Sequence, residues 1–430
     1  MRELLWAVAF ASAMPAVSSA EVSVLPQWKE GELEIHHIYT GRGESNFVIM
    51  PDGTTMLIDA GDYDPKGAWN MTEWLPDSSR RAGEWIARYV ERVNPAKDKK
   101  AVDYLMVSHM HNDHMGDCVD IDVPFTKGRN PDYKIVGLAE AGEYLHFGTA
   151  FDRGYPDYDY PLLVKKDPGI DSYKDVENYL DMVAWQKDKY GLRQEKFRPG
   201  ALNQIALRHH PGKYKGKFGI RNLAANAEVW TGEGEKTVRY YDLHPENPTD
   251  YPNENTKSLA VRIDYGPFSY YTGGDVSGRL FDKDRTPFYV EEKVGAACGK
   301  VDVAKANHHG HPSGSVKGFL DNVKATNFVL PVWDYWHTQK PVIERMVAAG
   351  CNPGEPYNIF ATAVHKKWYA EHGDEDWLKA ICPVTGHVVV KVYDGGKKYK
   401  IYIVSAEDES MTVKGEYGPF KSESSHLQAR

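Results

Sequence analysis

Residues 105–117, LMVSHMHNDHMGD, decide how this chain is read. Within nine positions stand His109, His111, Asp113, His114 and Asp117, directly after a short apolar run. A fold gains little stability from so many ionisable groups side by side. On an extended stretch, residues two apart project to the same side, so His109 and His111 can share one metal ion. The turn that follows lets Asp113 and His114 face a second. Neutral imidazoles with a carboxylate suit zinc or a similar first-row ion.

The segments around this motif place it on a sheet edge. YLMVS (104–108) reads as a buried strand that delivers it. LEIHHIYTG (33–41) and NFVIM (46–50) precede the turn PDGT, and TMLIDAG (55–61) runs apolar into Asp59. RRAGEWIARYVERV (80–93) has helical spacing, with Trp85, Ile86, Tyr89, Val90 and Val93 on one face. Strand, helix and strand in alternation imply an α/β arrangement. Asp275 closes SYYTGGD, and His308 and His309 close VDVAKANHH. Each follows a run that reads as a buried strand. Alone, each would be a cap or turn residue. Together with the opening motif they gather potential ligands along one edge.

This pattern resembles the metallo-β-lactamase superfamily of metallohydrolases. The resemblance rests on Asp59 in LIDAG, the HxHxDH of 109–114, Asp275 in TGGD and the late NHHG, and it spans most of residues 33–345. It implies a four-layer αββα sandwich and two divalent metal ions, zinc by expectation. His109 and His111 would hold one ion, and Asp113 and His114 the other. Asp275 would bridge both, and His309, with His308 as the alternative, would complete the second site. Asp59 would support the loop from behind without binding metal. Most members carry a further histidine before the bridging aspartate. Here only His209, His210 and His244 are candidates, none in a convincing motif. NENTKSL, TGGD and NHHG are similar instead to a branch holding the hydrolase domain of competence proteins and secreted phosphorylcholine esterases. His337, in WDYWHTQKP, resembles a late His-Pro element of that branch, with substrate contact or packing as its role.

The resemblance implies hydrolysis by a metal-activated water, with Asp113 and His308 as catalytic residues, and it points to a phosphodiester. No G-x-S-x-G nucleophile motif is present. The net charge of −9, without a basic run, argues against nucleic acid and favours a small phosphodiester on a glycan or lipid headgroup. The aromatic segment 155–160, with Trp333 and Trp336, is a candidate cage for a quaternary ammonium or simply packing. Two other readings stand beside this one. The first is a hydrolase of a cyclic amide or ester, and the second a metal-stabilised binding protein of the cell envelope.

The remaining expectations concern organisation. Residues 1–20 read as an export signal, with Arg2, an apolar stretch and small residues up to Ala20, so a periplasmic or secreted protein without a transmembrane span is expected. The hydrolase domain would run from 21 to 405, with 119–235 as an insertion or lid, a C-terminal hairpin around Asp394-Gly395, and 406–430 as a polar tail. The four cysteines match no zinc ribbon. Cys351 with Cys382 is the expected pair, and free buried thiols are the alternative. The oligomeric state stays open.

Overall fold

The computed structural model describes residues 23–64, 69–240, 252–282, 284–350 and 358–425. The proposed export signal, His244 and Cys351 lie outside the described residues. Two β-sheets pack face to face. The first has nine strands in the order Val413–Lys421, Lys398–Val404, His387–Tyr393, Leu33–His37, Asn46–Ile49, Thr55–Ile58, Ala101–Met106, His146–Phe151 and Arg193–Gln194. The second has eight, in the order Ile359–Ala361, Asn327–Leu330, Val303–Lys305, Phe268–Thr272, Ala260–Tyr265, Phe218–Ala225, Glu228–Trp230 and Thr237–Arg239.

Three apolar layers hold the sheets and helices together. Between the sheets, Val48, Met56, Ile58 and Tyr104 meet Ile220, Val261, Ile263 and Tyr270. Outside the first sheet pack the helices Ala82–Val93, Gly137–Tyr144 and Tyr173–Tyr190, through residues such as Ile86, Leu138 and Met182. Outside the second pack Val290–Cys298, Lys317–Val323 and Lys340–Ala348, through Val294, Leu320 and Ile343. This is the αββα sandwich that the resemblance implied. Each fully buried Leu, Ile or Phe contributes roughly 1.5–3 kcal/mol, so the layers form a rigid frame for the edge.

Local signals explain the elements. Of the predicted face in Ala82–Val93, Trp85, Ile86, Tyr89 and Val90 are buried and Val93 is partly buried, and the helix stops before Asn94-Pro95, where proline disfavours helical geometry in the residue ahead of it. Tyr173–Tyr190 begins where the Ser172 side chain accepts from the Lys174 N–H, and ends on Gly191 at φ +75°. The hairpin expected around Asp394-Gly395 joins His387–Tyr393 to Lys398–Val404.

Two organisational expectations are corrected. Residues 119–235 are not an insertion. They supply His146–Phe151 and Arg193–Gln194 to the first sheet, Phe218–Ala225 and Glu228–Trp230 to the second, and two outer helices. Strands such as FGIRNLAA are covered on both faces, so they lack the alternation that marks a half-buried strand. Nor is the C-terminal segment a free tail: Val413–Lys421 pairs antiparallel with Lys398–Val404 as an edge strand. Its alternating exposure suits an edge with one wet face, and its charge reads as solvated chain. Cys382 is a free buried thiol that donates to Tyr417 Oη at 3.0 Å.

The topology brings strand ends to one edge. Thr55–Ile58 and Ala101–Met106 run parallel, with Ile58 opposite Met106. Phe268–Thr272, Val303–Lys305 and Asn327–Leu330 also run parallel. Loops after parallel strands emerge at the carboxyl edge, where open sheets carry their sites. A hydrogen bond from Leu259 N to Ser108 O at 2.8 Å joins the two sheets there. Among the described residues no helix is long and apolar enough to cross a membrane.

Candidate metal centre

The motif leaves its strand and closes into one helical turn, Asn112–Met115, so that Asp113 and His114 come round beneath the extended His109–His111 stretch. Close backbone packing fixes that turn. Gly61 lies so near that an added Cβ would stand 1.8 Å from Asp113 O. Glu44 N donates to the same oxygen at 2.9 Å, and Gly61 N donates to Glu44 O at 3.0 Å. The glycines of TGRGESN and LIDAG are therefore required by close approach.

Across the edge, His308 and His309 both adopt left-handed backbone, at φ 49° and 54°. Two consecutive non-glycine residues in that region are costly, and such strain collects at functional sites. Here the turn swings the His309 ring under the motif, where it is fully buried.

The hydrogen bonds assign the proton on each ring, because each partner has a defined role. Gly169 O can only accept, so His111 Nε2, 3.0 Å away, is its donor. That leaves His111 Nδ1 with its lone pair. Ser108 Oγ gives its proton to Asp59 Oδ2 at 2.6 Å and so accepts from His109 Nδ1 at 3.1 Å, leaving the lone pair on His109 Nε2. Asp59 Oδ2 accepts from His114 Nδ1 at 2.8 Å, and Pro331 O accepts from His309 Nδ1 at 3.0 Å. Nε2 then carries the lone pair in both rings, and that of His309 also receives the Trp333 Nε1–H at 3.4 Å.

These four lone pairs converge. His109 Nε2 and His111 Nδ1 face each other at 3.1 Å, an arrangement that only a shared cation or proton makes favourable. His309 Nε2 lies 3.1 Å from Asp113 Oδ2 and 3.1 Å from Asp275 Oδ2. His114 Nε2 lies 3.5 Å and 3.3 Å from the same two oxygens. Asp275 Oδ2 also stands 3.9 Å from His109 Nε2, so it sits between the two groups. His114 Nε2 and Asp275 Oδ1 are buried without a hydrogen-bond partner among the described residues.

Charge favours cations as well. Glu44, Asp59, Asp113 and Asp275 are buried around a single buried lysine, Lys305, whose Nζ is 2.8 Å from Glu44 Oε2 and 3.6 Å from Asp275 Oδ1. Burial pulls the His114 imidazole down, but Asp113, Asp275 and Asp59 outweigh it and hold it well above its usual range. His309 behaves alike under Asp275, Asp113 and Glu44. A pocket that binds protons this strongly also favours divalent ions. Glu44, His114, Asp275 and His309 place ligand-type atoms within 4.8 Å of one another and could bind a metal ion. Glu44 itself meets His309 on the Nδ1 side, at 3.2 Å, and is held by Lys305. The Pro331 carbonyl orients that ring, as Asp59 orients His114.

The edge thus brings together His109, His111, Asp113, His114, Asp275 and His309, with Asp59 behind His114. His308 and His337 border an open cleft of about 350 Å³ beside them, with Tyr63, Asn70, His311 and Trp336. Burial draws His308 down to about 4 against the pull of Asp275. Its Nδ1 is 2.6 Å from Ser313 Oγ. His337 is buried and stacks on His309, ring centroids 4.5 Å apart. His209 and His210 are elsewhere. Their N–H groups donate to Asp52, in the turn before Thr55–Ile58, at the other end of that strand from Asp59. Tyr155, Pro156, Asp157, Asp159 and Tyr160 line a separate pocket with Arg153 and Asn226, and Tyr158 packs against the core, so the segment forms no cage with Trp333 and Trp336. Trp333 is buried between Tyr63 and His337. Sequence reasoning passed over Glu44 and Lys305. Lys305 carries a signal, a charge inside the run VDVAKA, whereas Glu44 stands in the polar loop TGRGESN and carries none.

No family model matches the chain, and no curated protein matches it in sequence. Among solved structures it is similar to a protein from Parabacteroides distasonis described as a metal-dependent hydrolase, at 10% identity and a TM-score of 0.31, over 76% of this chain and 93% of that one. It is also similar to CmlA, a diiron β-hydroxylase from Streptomyces venezuelae, at 13% identity and a TM-score of 0.33, over 72% of this chain and 47% of that one.

Proposed function

We propose that this protein is a hydrolase with two divalent ions, zinc by preference, that cleaves a small phosphodiester. In this reading residues 1–20 are removed on export and the enzyme acts in the periplasm or outside the cell. The observation that carries the reading is the convergence of four imidazole lone pairs and two carboxylates, with Asp275 Oδ2 lying between the two groups. A structural site closes around one ion with four ligands, and this set exceeds that.

His109 and His111 would hold one ion, Asp113, His114 and His309 the other, and Asp275 would reach both. Ions so placed supply a Lewis acid and water that ionises near neutral pH. Ser108, Asp59 and the Gly169 and Pro331 carbonyls keep the ligand rings in one tautomer. Lys305 neutralises part of the carboxylate charge, so the centre holds a limited surplus for the ions. His308 stays neutral at pH 7 and offers a hydrogen bond to a phosphoryl oxygen; it is not a store of protons. Among the described residues no Lys or Arg lines the cleft, which suits a small substrate whose charge is met by the ions and not a polyanion. Trp336, half exposed at the rim, and the Asp334 carboxylate would favour a cationic group on the leaving side.

A panel of substrates tests the reading. Protein purified without chelator is given bis-nitrophenyl phosphate, nitrophenyl phosphocholine, a chromogenic cephalosporin and a lactone, each with and without chelator. Chelator-sensitive phosphodiesterase activity is expected, and Asp275→Asn should remove it along with both ions. Ready opening of the cephalosporin, with every phosphodiester left intact, would replace this reading with the cyclic amide one. Metal binding without turnover of any substrate would favour a binding protein.

A further inference from the structure

The first metal pair, His109 and His111, sits on an extended stretch, and the His114 ring beside His109, 4.1 Å between centroids, turns its Nε2 to Asp113 and Asp275. What fixes that stretch is a buried cluster of four charges one layer away. Glu254, fully buried, accepts the Met110 N–H at 2.8 Å on Oε1. Met110 is the residue between the two histidines. The same carboxylate takes two bonds from the Arg153 guanidinium, Nε at 2.6 Å and Nη2 at 2.5 Å. Lys257 Nζ lies 3.6 Å from it and donates to Asp167.

Asp167 reaches the other side of the motif. Its Oδ2 is 3.3 Å from Arg153 Nη2, and its Oδ1 accepts the Gly169 N–H at 3.0 Å. That turn presents Gly169 O to His111 Nε2. Gly169 is packed so closely that an added Cβ would stand 2.9 Å from Glu254 N. One network of two cations and two carboxylates therefore grips the motif twice, at the Met110 backbone and at the far nitrogen of His111. Its charges balance, and Arg153 and Lys257 hold the Glu254 carboxyl down to about 2 despite its burial, so the anchor stays ionised.

We infer that the Arg153–Glu254–Lys257–Asp167 cluster is a positioning device for the first metal ion, setting the separation of His109 from His111 and the tautomer of His111. A buried ion cluster contributes little net stability compared with apolar residues of the same volume. What it contributes here is the geometry it imposes. The inference rests on the reading that His109 and His111 share an ion.

The test is a cobalt and zinc titration of chelator-stripped full-length protein, read as two binding steps and by the cobalt absorption bands. Glu254→Gln should weaken one step by about 10–100-fold, the usual cost of losing an outer partner, and should alter one set of cobalt bands. The other step should stay within about threefold. Because Glu254→Gln leaves the interior charges of Arg153 and Lys257 with Asp167 alone, a second variant, Arg153→Met with Glu254→Leu, removes one charge of each sign together and keeps the packing. It should fold and show the same selective loss. Equal weakening of both steps, or none, in a folded variant would overturn the inference. Wild-type protein that binds a single ion would instead remove the reading on which it rests.

Discussion

Replacing Asp59 with asparagine should disable one metal position through a proton and not through a lost ligand. The Asp59 carboxylate is fully buried and receives Ser108 N at 2.7 Å, Ser108 Oγ at 2.6 Å and His114 Nδ1 at 2.8 Å. Asparagine is the right probe because φ is +60° here, and it tolerates left-handed backbone better than alanine does. An amide offers one accepting oxygen and one donating NH2 group. If the oxygen keeps the Ser108 N–H, the NH2 group faces His114 Nδ1. His114 then avoids a clash of donors only by accepting at Nδ1, which moves its proton to Nε2. That is the nitrogen facing Asp113 and Asp275, and a protonated nitrogen binds no metal. The loss of such an outer partner costs about 10–100-fold in affinity, or about 1.4–2.7 kcal/mol. The lost charge-assisted bonds, about 1.5–3 kcal/mol each, also lower the stability of the fold. Calorimetric titration of stripped protein should show one weakened step, and nitrogen NMR of labelled histidine should show His114 in the other tautomer. An unchanged tautomer with unchanged affinity would refute the assignment of ring protons, and so would equal loss at both steps.

Two further outcomes follow from packing and charge. Glu140, buried against the first turn of Ala82–Val93, is pushed from 4.5 up to about 8 by burial and by Asp62, against the Glu84 N–H and Arg81. A carboxyl raised on folding stabilises fully below pH 4.5 and loses that contribution as pH climbs towards 8, by up to about 1.4 kcal/mol per unit. Glu140→Gln has no such loss, so urea unfolding at fixed free zinc should show the variant gaining a few kcal/mol on wild type between pH 5 and pH 8; parallel pH profiles would contradict this. Gly61→Ala should push its Cβ into Asp113 O and lower stability by about 1–3 kcal/mol or more, with weaker metal binding. A melting temperature and ion content equal to wild type would show that the loop yields freely.

The parts legible in the sequence were those governed by local rules. The helix at 82–93 announced itself by period. The ligand candidates were legible because unlike residues stood together at the ends of apolar runs. What escaped was set by distant partners. Phe218–Ala225 carries Gly219, Arg221 and Asn222 and reads as loop, yet it lies between two other strands. Glu44 and Lys305 are 261 positions apart, and nothing local tells that the lysine will be buried beside that carboxylate. Asp167 flanks the motif from a segment read as an insertion or lid, and Glu254 from NENTKSL, where nothing local names Met110 as its partner.

The same division explains how the centre is built. The histidines supply lone pairs, but a free imidazole has two nitrogens and rotates. Each of the four rings is reduced to one usable nitrogen by a partner from a different part of the chain: Ser108 for His109, Gly169 for His111, Asp59 for His114 and Pro331 for His309. Three of these partners are backbone carbonyls or residues adjoining the motif strands, and they are fixed by the sheets themselves. Gly169 belongs to a loop, and it is the one stabilised by a separate ion cluster. The position with the least help from the sheets therefore carries the most elaborate support. That correlation is expected if the supports exist to hold metal geometry, and it has no reason to arise if they served the stability of the fold alone.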